Sequence, residues 1–165
     1  QRNRNGLLLS KARFLFIAAF REWFSPHLFA ELRKRGHQVG NHTMNHVQGM
    51  KMSKEKYLQN VQNADDLIGS TLFRPPHGHI GSGQAAALKR KYNIIMWDVV
   101  TRDYSRKLTG EKVLANVKRY TRNGSIIVFH DSIKAERNLR YALPRAIEWL
   151  LENGYQFSKI TGVSR

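Results

Sequence analysis

Ser125-Ile126-Ile127-Val128-Phe129-His130 is the stretch whose reading decides the fold class. Four consecutive apolar residues follow the turn signal Asn123-Gly124 and end on an ionisable histidine. A short apolar run bounded this way predicts a strand buried on both faces, with His130 emerging at its carboxyl end. On its amino-terminal side, Thr109 is a helix-capping residue, and the pattern after it predicts a helix through Tyr120. On its carboxyl-terminal side, Leu143, Ile147, Leu150 and Leu151 predict a last helix over Leu143 to Glu152. Gly154 stops that helix, and Tyr155 to Ile160 alternates as an edge strand would.

The same alternation continues toward the amino terminus. Arg13 to Ala18 reads as a buried strand, and Ser25-Pro26 as a cap with proline in the first helical turn. Gly36 ends that helix, and Gln38 to Asn41 follows as a strand. Ser53 caps a helix to about Leu67, with Tyr57, Val61 and Leu67 expected on its apolar side. Leu72 to Arg74 and Asn93 to Trp97 are further strands around a helix over Gln84 to Tyr92. Buried strands alternating with helices imply parallel pairing, in an open sheet or a barrel. In either, functional side chains gather at the carboxyl ends of strands. Those ends carry His42 and His46, Arg74 and His77, Asp98 and Asp103, and His130 and Asp131. Four strand ends that all deliver ionisable groups point to an enzyme.

Composition bounds this further. The chain has 165 residues, 41% of them hydrophobic and 24% charged, which suits one folded domain spanning residues 1–165. No cysteine is present, so disulfides and thiolate metal sites are excluded. Lys and Arg number 28 against 12 Asp and Glu, a net charge of +16, which favours an anionic partner. The apolar run Phe14 to Phe20 is too short to span a bilayer. Lys11 and Arg13 interrupt the apolar stretch of the first 20 residues, which makes that segment a poor signal peptide. Gln1 in place of a methionine reads as the start of a fragment or a processed product.

Three motifs carry chemistry. Asn41-His42-Thr43-Met44-Asn45-His46 places two imidazoles four residues apart, which a helix or a tight turn aims at one point. Two neutral imidazoles suit a borderline divalent cation, zinc foremost, and a third ligand would be a carboxylate or another histidine. H-x-x-x-H is also common on solvated helices. Phe73-Arg74-Pro75-Pro76-His77-Gly78 is a rigid loop whose backbone N–H groups can face a developing oxyanion. Its arginine can grip a carboxylate, or it is simply a surface residue on a proline turn. His130 can act as a general acid if a carboxylate, with Asp103 as candidate, orients its second nitrogen. Otherwise it is a hydrogen-bonded core histidine.

Taken in order, His-x-x-x-His, Arg-Pro-Pro-x-Gly, Trp97-Asp98-x-x-x-x-Asp103 and the apolar strand ending in His130-Asp131 resemble the polysaccharide deacetylases. This is the NodB-homology group, carbohydrate esterase family 4. The resemblance runs from about Lys11 to about Ile160 and implies a distorted, incomplete (β/α) barrel. It implies metal-dependent hydrolysis of N- or O-acetyl groups on a polysaccharide such as peptidoglycan or a chitin-like glycan. By the same resemblance, His42 and His46 bind the metal (zinc, with cobalt or manganese as alternatives), and Arg74 orients the catalytic base. Pro76, His77 and Trp97 belong to the substrate groove and oxyanion region. Asp103 tunes the acid, and His130 is that acid. Leu143 to Trp149 closes the fold. The acetylated glycan is the expected partner, and export or attachment to the cell envelope is the expected location.

Two departures from the family pattern stand out. Val100-Thr101-Arg102-Asp103-Tyr104 replaces Asp-x-x-Asp-Trp, losing the first aspartate and exchanging tryptophan for tyrosine. The family's Asp-Asp motif, which supplies the base and a metal ligand, is not found before Lys11, and the earliest acid is Glu22. The expectation is therefore an amino-terminally truncated domain of impaired activity. An inactive glycan-binding relative is the nearer rival. A basic nucleic-acid-binding module is the more distant one, because Arg2, Arg4, Arg33, Lys34, Arg35, Lys89, Lys91, Lys118 and Arg119 are scattered without a recognition motif.

Overall fold

The computed structural model describes residues 14–17 and 26–160. The expected strand ends Arg13 and Ala18, the Ser25 cap and the stretch before Lys11 lie outside the described residues. Two compact units are present. One comprises the described residues up to Met96 together with residues 158–160, and the other spans Trp97–Phe157.

In the first unit four parallel strands stand in the order β1 (Phe14–Ile17), β2 (Gln38–Asn41), β3 (Leu72–Phe73) and β4 (Asn93–Ile94). Helices α1 (Pro26–Lys34), α2 (Lys54–Ile68) and α3 (Ser82–Leu88) connect them in sequence. Parallel neighbours need such crossovers, which is why strand and helix alternate along the chain. Register is fixed by Phe14 opposite Gln38, Asn41 opposite Phe73, and Phe73 opposite Ile94.

Helix α2 shows how these connections are built. The Ser53 hydroxyl accepts from the Lys56 N–H at 3.4 Å, and Glu55 adds negative charge to the first turn. Gly69 closes the helix in the left-handed region, at φ 58°, where a side chain would be strained. Its buried face is Tyr57, Val61, Ala64 and Ile68. Leu67, expected on that face, is instead exposed, because the four buried residues already complete the stripe one turn apart. Tyr57 and Val61 pack with Phe73, Leu88 and Tyr92, while Ala64 and Ile68 join Val39 and Met44. Burying a side chain such as Phe73 contributes about 1.5–3 kcal/mol.

The second unit holds a parallel pair, β5 (Val99–Val100) and β6 (Ile127–Val128), with helices α4 (Gly110–Tyr120) and α5 (Glu136–Glu152). Thr109 caps α4 as its sequence predicts, its hydroxyl accepting from Lys112 N–H. Val117 of α4 packs with Ala146 and Leu150 of α5, and Ile127, Phe129 and Trp149 pack around them.

Four further sequence expectations are corrected. The apolar run 125–130 contributes only two residues to a ladder and is half-buried. Carboxylates take its outer N–H groups: Asp98 accepts from Ile126 and Asp103 from His130. The run 93–97 likewise pairs only at 93–94 before the Arg74 guanidinium takes the carbonyls of Ile95 and Met96. The last helix begins at Glu136, seven residues early, and continues through Pro144. A proline there removes a single helical hydrogen bond, and packing on the buried face carries the rest. Residues 155–160 form no strand. The Ile160 backbone is instead held on both sides by the Gln38 side-chain amide, at 3.0 and 3.3 Å.

Candidate functional site

In the first unit the residues after β2 and β3 form one cluster. Asn41 ends β2 fully buried, its Oδ1 accepting from Thr43 N–H and its Nδ2 donating to the Val61 carbonyl, each at 2.9 Å. Asn60, reaching over from α2, accepts from the N–H groups of Met44 and Asn45. The loop 42–46 is therefore a tight turn pinned by two asparagines rather than a helix. Thr43 and His46 take left-handed backbone angles, φ 66° and 52°, which non-glycine residues rarely adopt and which surrounding contacts must stabilise.

The turn brings the His42 and His46 rings edge to face, with centroids 4.9 Å apart. The His77 ring stands edge to face with His46 at 4.7 Å. His77 is itself left-handed, φ 56°, in the short 3-10 turn Pro76–Gly78. Pro75 and Pro76 are fully buried beneath it and make that turn rigid. Arg74 ties the two loops together. Its N–H donates to the Asn41 carbonyl at 2.9 Å, and its carbonyl lies 2.6 Å from His42 Nδ1. Its guanidinium is buried and donates to the carbonyls of Ile95 and Met96. Burial lowers the arginine to about 10.

A carbonyl oxygen can only accept, so Nδ1 of His42 carries the proton and Nε2 presents its lone pair. Burial pushes the His42 imidazole down to about 3, partly opposed by that carbonyl bond. A neutral ring with its outer nitrogen fixed by a backbone acceptor is the form in which histidine binds a metal. His42 and His46 thus fit a divalent cation as two imidazole ligands. Among the described residues, no group of three acidic or histidine side chains is placed to hold an ion. Asp65, buried in α2, is committed to the Lys91 ammonium at 2.6 Å and to the Ser70 N–H.

In the second unit Asp103 and His130 form a pair. Asp103 is fully buried. Its Oδ1 lies 2.7 Å from His130 Nδ1, and its Oδ2 accepts from the His130 backbone N–H at 2.7 Å. The Tyr104 N–H also donates to Oδ1, and the Tyr104 ring stands edge to face on the His130 imidazole at 4.8 Å. His130 keeps 36% of its side chain exposed. Arg102, just before the aspartate, is again left-handed at φ 60°. Trp97 is half-buried two residues ahead of β5. Asp98 accepts from Ile126 N–H, Ser125 Oγ and Arg122 at the foot of β6, and Asp131 is exposed.

The predicted residues therefore gather in two groups, His42, His46, Arg74, Pro76 and His77 in one unit, and Asp103 with His130 in the other. Sequence reading missed the asparagines that fix both loops: Asn41, Asn60, Asn116 and Asn138. Asn41, Asn60 and Asn116 sit within a predicted strand or helix, where asparagine is a poor former of regular structure, and that misfit is the available signal; Asn138 lies ahead of the predicted last helix and carries no such signal.

The polysaccharide deacetylase family model matches residues 10–94. A peptidoglycan-N-acetylglucosamine deacetylase of Bacillus cereus is 27% identical over 158 residues, covering 91% of this chain and 74% of that protein. Chitin deacetylase 2 of Saccharomyces cerevisiae is 29% identical over 136 residues, and the match covers 74% of this chain but only 43% of that relative. The solved structure of the peptidoglycan deacetylase PdaC from Bacillus subtilis superposes with a TM-score of 0.82 at 25% identity, over 94% of this chain and 78% of that one. Parallel strands with crossover helices and the ordered histidine and arginine motifs agree with that match, and the chain belongs to the polysaccharide deacetylase family.

Proposed function

We propose that residues 1–165 serve as one deacetylase domain that hydrolyses acetyl groups from an acetylated cell-envelope polysaccharide, peptidoglycan or a chitin-like glycan. The observation that carries this reading is the Asp103–His130 pair, a half-exposed imidazole held at ring and backbone by one buried carboxylate. With Nδ1 engaged by Asp103, His130 offers Nε2 to the leaving nitrogen or oxygen of the sugar and acts as general acid. Asp103 orients the ring. The family match over residues 10–94 and relatives named for peptidoglycan and chitin deacetylation support the substrate class.

His42 and His46 would hold a divalent cation, zinc foremost with cobalt or manganese as alternatives. When bound, that cation supplies Lewis-acid polarisation of the acetyl carbonyl and of a water molecule. His42 contributes a neutral Nε2 because the Arg74 backbone carbonyl accepts a hydrogen bond from its Nδ1–H. Arg74 stiffens the site by joining the ends of β2, β3 and β4 through backbone carbonyls. The rigid Pro75-Pro76-His77 turn is assigned to the oxyanion, through the His77 backbone N–H, and Pro76 and, separately, Trp97 are assigned to substrate contact.

The test is acetate release from acetylated peptidoglycan and from chitin oligomers, with zinc or cobalt added. Release that is lost in His130→Ala and in His42→Ala supports the proposal. Retention of the glycan by the metal-supplemented chain with no acetate released overturns it in favour of a glycan-binding role.

A further inference from the structure

The loop 103–108 carries the acid pair, and one buried side chain organises it. Asn138 of α5 is 5% exposed. Its Nδ2 donates to the carbonyls of Asp103 at 2.9 Å, Leu108 at 3.2 Å and Ser105 at 3.3 Å. Three carbonyl oxygens facing one point would leave their negative ends together, and the two hydrogens of a neutral amide NH2, one of them shared between two acceptors, reach all three. The opposite amide orientation would turn Oδ1 against all three acceptors. The observed one leaves Oδ1 buried without a partner, a cost that marks the carbonyls as the reason for the asparagine. Within the loop, Ser105 N–H returns to the Arg102 carbonyl and Leu108 N–H to that of Ser105. Asn116 of α4 holds the Thr101 carbonyl at the loop's start.

We propose that Asn138 is a positioning residue for the Asp103–His130 pair, wrapping the loop 103–108 around its side-chain amide so that the Asp103 carboxylate meets His130 at both ring and backbone. This rests on the reading of His130 as the acid, but the placement of Asp103 is read independently of turnover. The carbonyl of Asp103 is fixed on α5 while its carboxylate reaches β6. Losing the amide therefore frees the backbone from which the carboxylate is aimed. Tyr104, whose N–H donates to Asp103, would move with it.

The experiment compares the wild-type chain with Asn138→Ala and Asn138→Gln by proton NMR of the hydrogen-bonded His130 Nδ1–H, assigned with His130→Ala, alongside thermal unfolding and acetate release. In the folded Asn138→Ala chain that resonance is expected to broaden or vanish. Asn138→Gln, which keeps the NH2, should restore it in part. Where acetate release is measurable, kcat should fall on the order of tenfold or more with KM little changed. Should Asn138→Ala not fold, Asn138→Ser, which keeps one donor, is read by the same resonance, and a weakened signal is expected. An unchanged Nδ1–H signal in a folded Asn138→Ala or Asn138→Ser chain overturns the inference. A lost signal in a chain that never releases acetate upholds the positioning role and removes only the assignment of His130 as acid.

Discussion

Asp103 and His130 are joined twice, by a 2.7 Å contact between carboxylate and imidazole and by a 2.7 Å bond from the His130 backbone N–H to the second carboxylate oxygen. A side chain that holds both the ring and the backbone of its partner fixes position and orientation together. It also leaves Asp103, which is fully buried, with each carboxylate oxygen satisfied by at least one donor.

Asp103→Asn should therefore act on chemistry and stability at once. An amide keeps the shape but turns one acceptor oxygen into a donor that faces an N–H. The lost bond and the new mismatch should cost about 1–3 kcal/mol. If His130 is the acid, removing its orienting charge should lower kcat on the order of 10²–10⁴-fold with KM nearly unchanged. Urea unfolding and steady-state acetate release check the two effects separately. A variant with wild-type kcat would remove Asp103 from the mechanism.

Much of this was legible beforehand, and the exceptions share a cause. Ser53 and Thr109 cap the helices their patterns predict, and Gln38–Asn41 is the strand expected, because these features depend on local chemistry. The strands at 93–97 and 125–130 were read too long, since side chains of Arg74, Asp98 and Asp103 from distant positions take over their ladder groups. No local pattern encodes that competition. The same holds for the site. Histidine spacing predicts that the His42 and His46 rings approach one another, as they do, but the tautomer of His42 depends on the Arg74 carbonyl, a partner 32 residues away.

Gly110 offers a test of packing in the second unit. A Cβ on it would come within 2.5–2.7 Å of the Tyr141 ring and Tyr141 Cβ. The Tyr141 Cβ is tethered to α5 and cannot swing aside. The gain of up to ~1 kcal/mol in helix propensity on replacing glycine is outweighed by overpacking of roughly 1–3 kcal/mol. Gly110→Ala should lower the urea midpoint. Gly83→Ala is the control, because its Cβ would meet only Lys54 Cδ at 3.9 Å. That variant should be neutral or stabilised, and a matching loss in both would refute the steric account.

Acid should weaken the foot of β6. Partial burial raises the Asp98 carboxyl, but bonds from Ile126 N–H and Ser125 Oγ and the nearby Arg122 outweigh it, holding the group below the usual carboxylate range. A folded-state pKa below the unfolded one gives stability that is present above about pH 4 and is lost as pH falls through the lowered value. Because the group is largely open to solvent, the contribution should be about 1 kcal/mol or less. Asp98→Asn should be less stable than wild type at pH 6 by that amount, and the two unfolding midpoints should draw together as the pH falls below about 4. A difference that stays constant across that window would exclude a charge effect.

Asn41 should link the stability of the first unit to its metal affinity. Asn41→Ala leaves the Thr43 N–H and the Val61 carbonyl buried without their side-chain partner, at a cost of about 2–4 kcal/mol. It also releases the left-handed Thr43 next to His42. A loosened His42 no longer presents Nε2 in a fixed direction, so zinc affinity should drop about 10–100-fold, the range seen when groups that orient a ligand are removed. Asn41→Asp keeps the acceptor for Thr43 N–H and loses only the donor to Val61. It should fall between the two in thermal stability while holding zinc nearly as well as wild type. Zinc titration of the three folded chains by calorimetry separates these cases. If Asn41→Ala and wild type bind zinc equally, the turn at 42–46 does not orient the histidines, and their approach in the structure has no bearing on a metal.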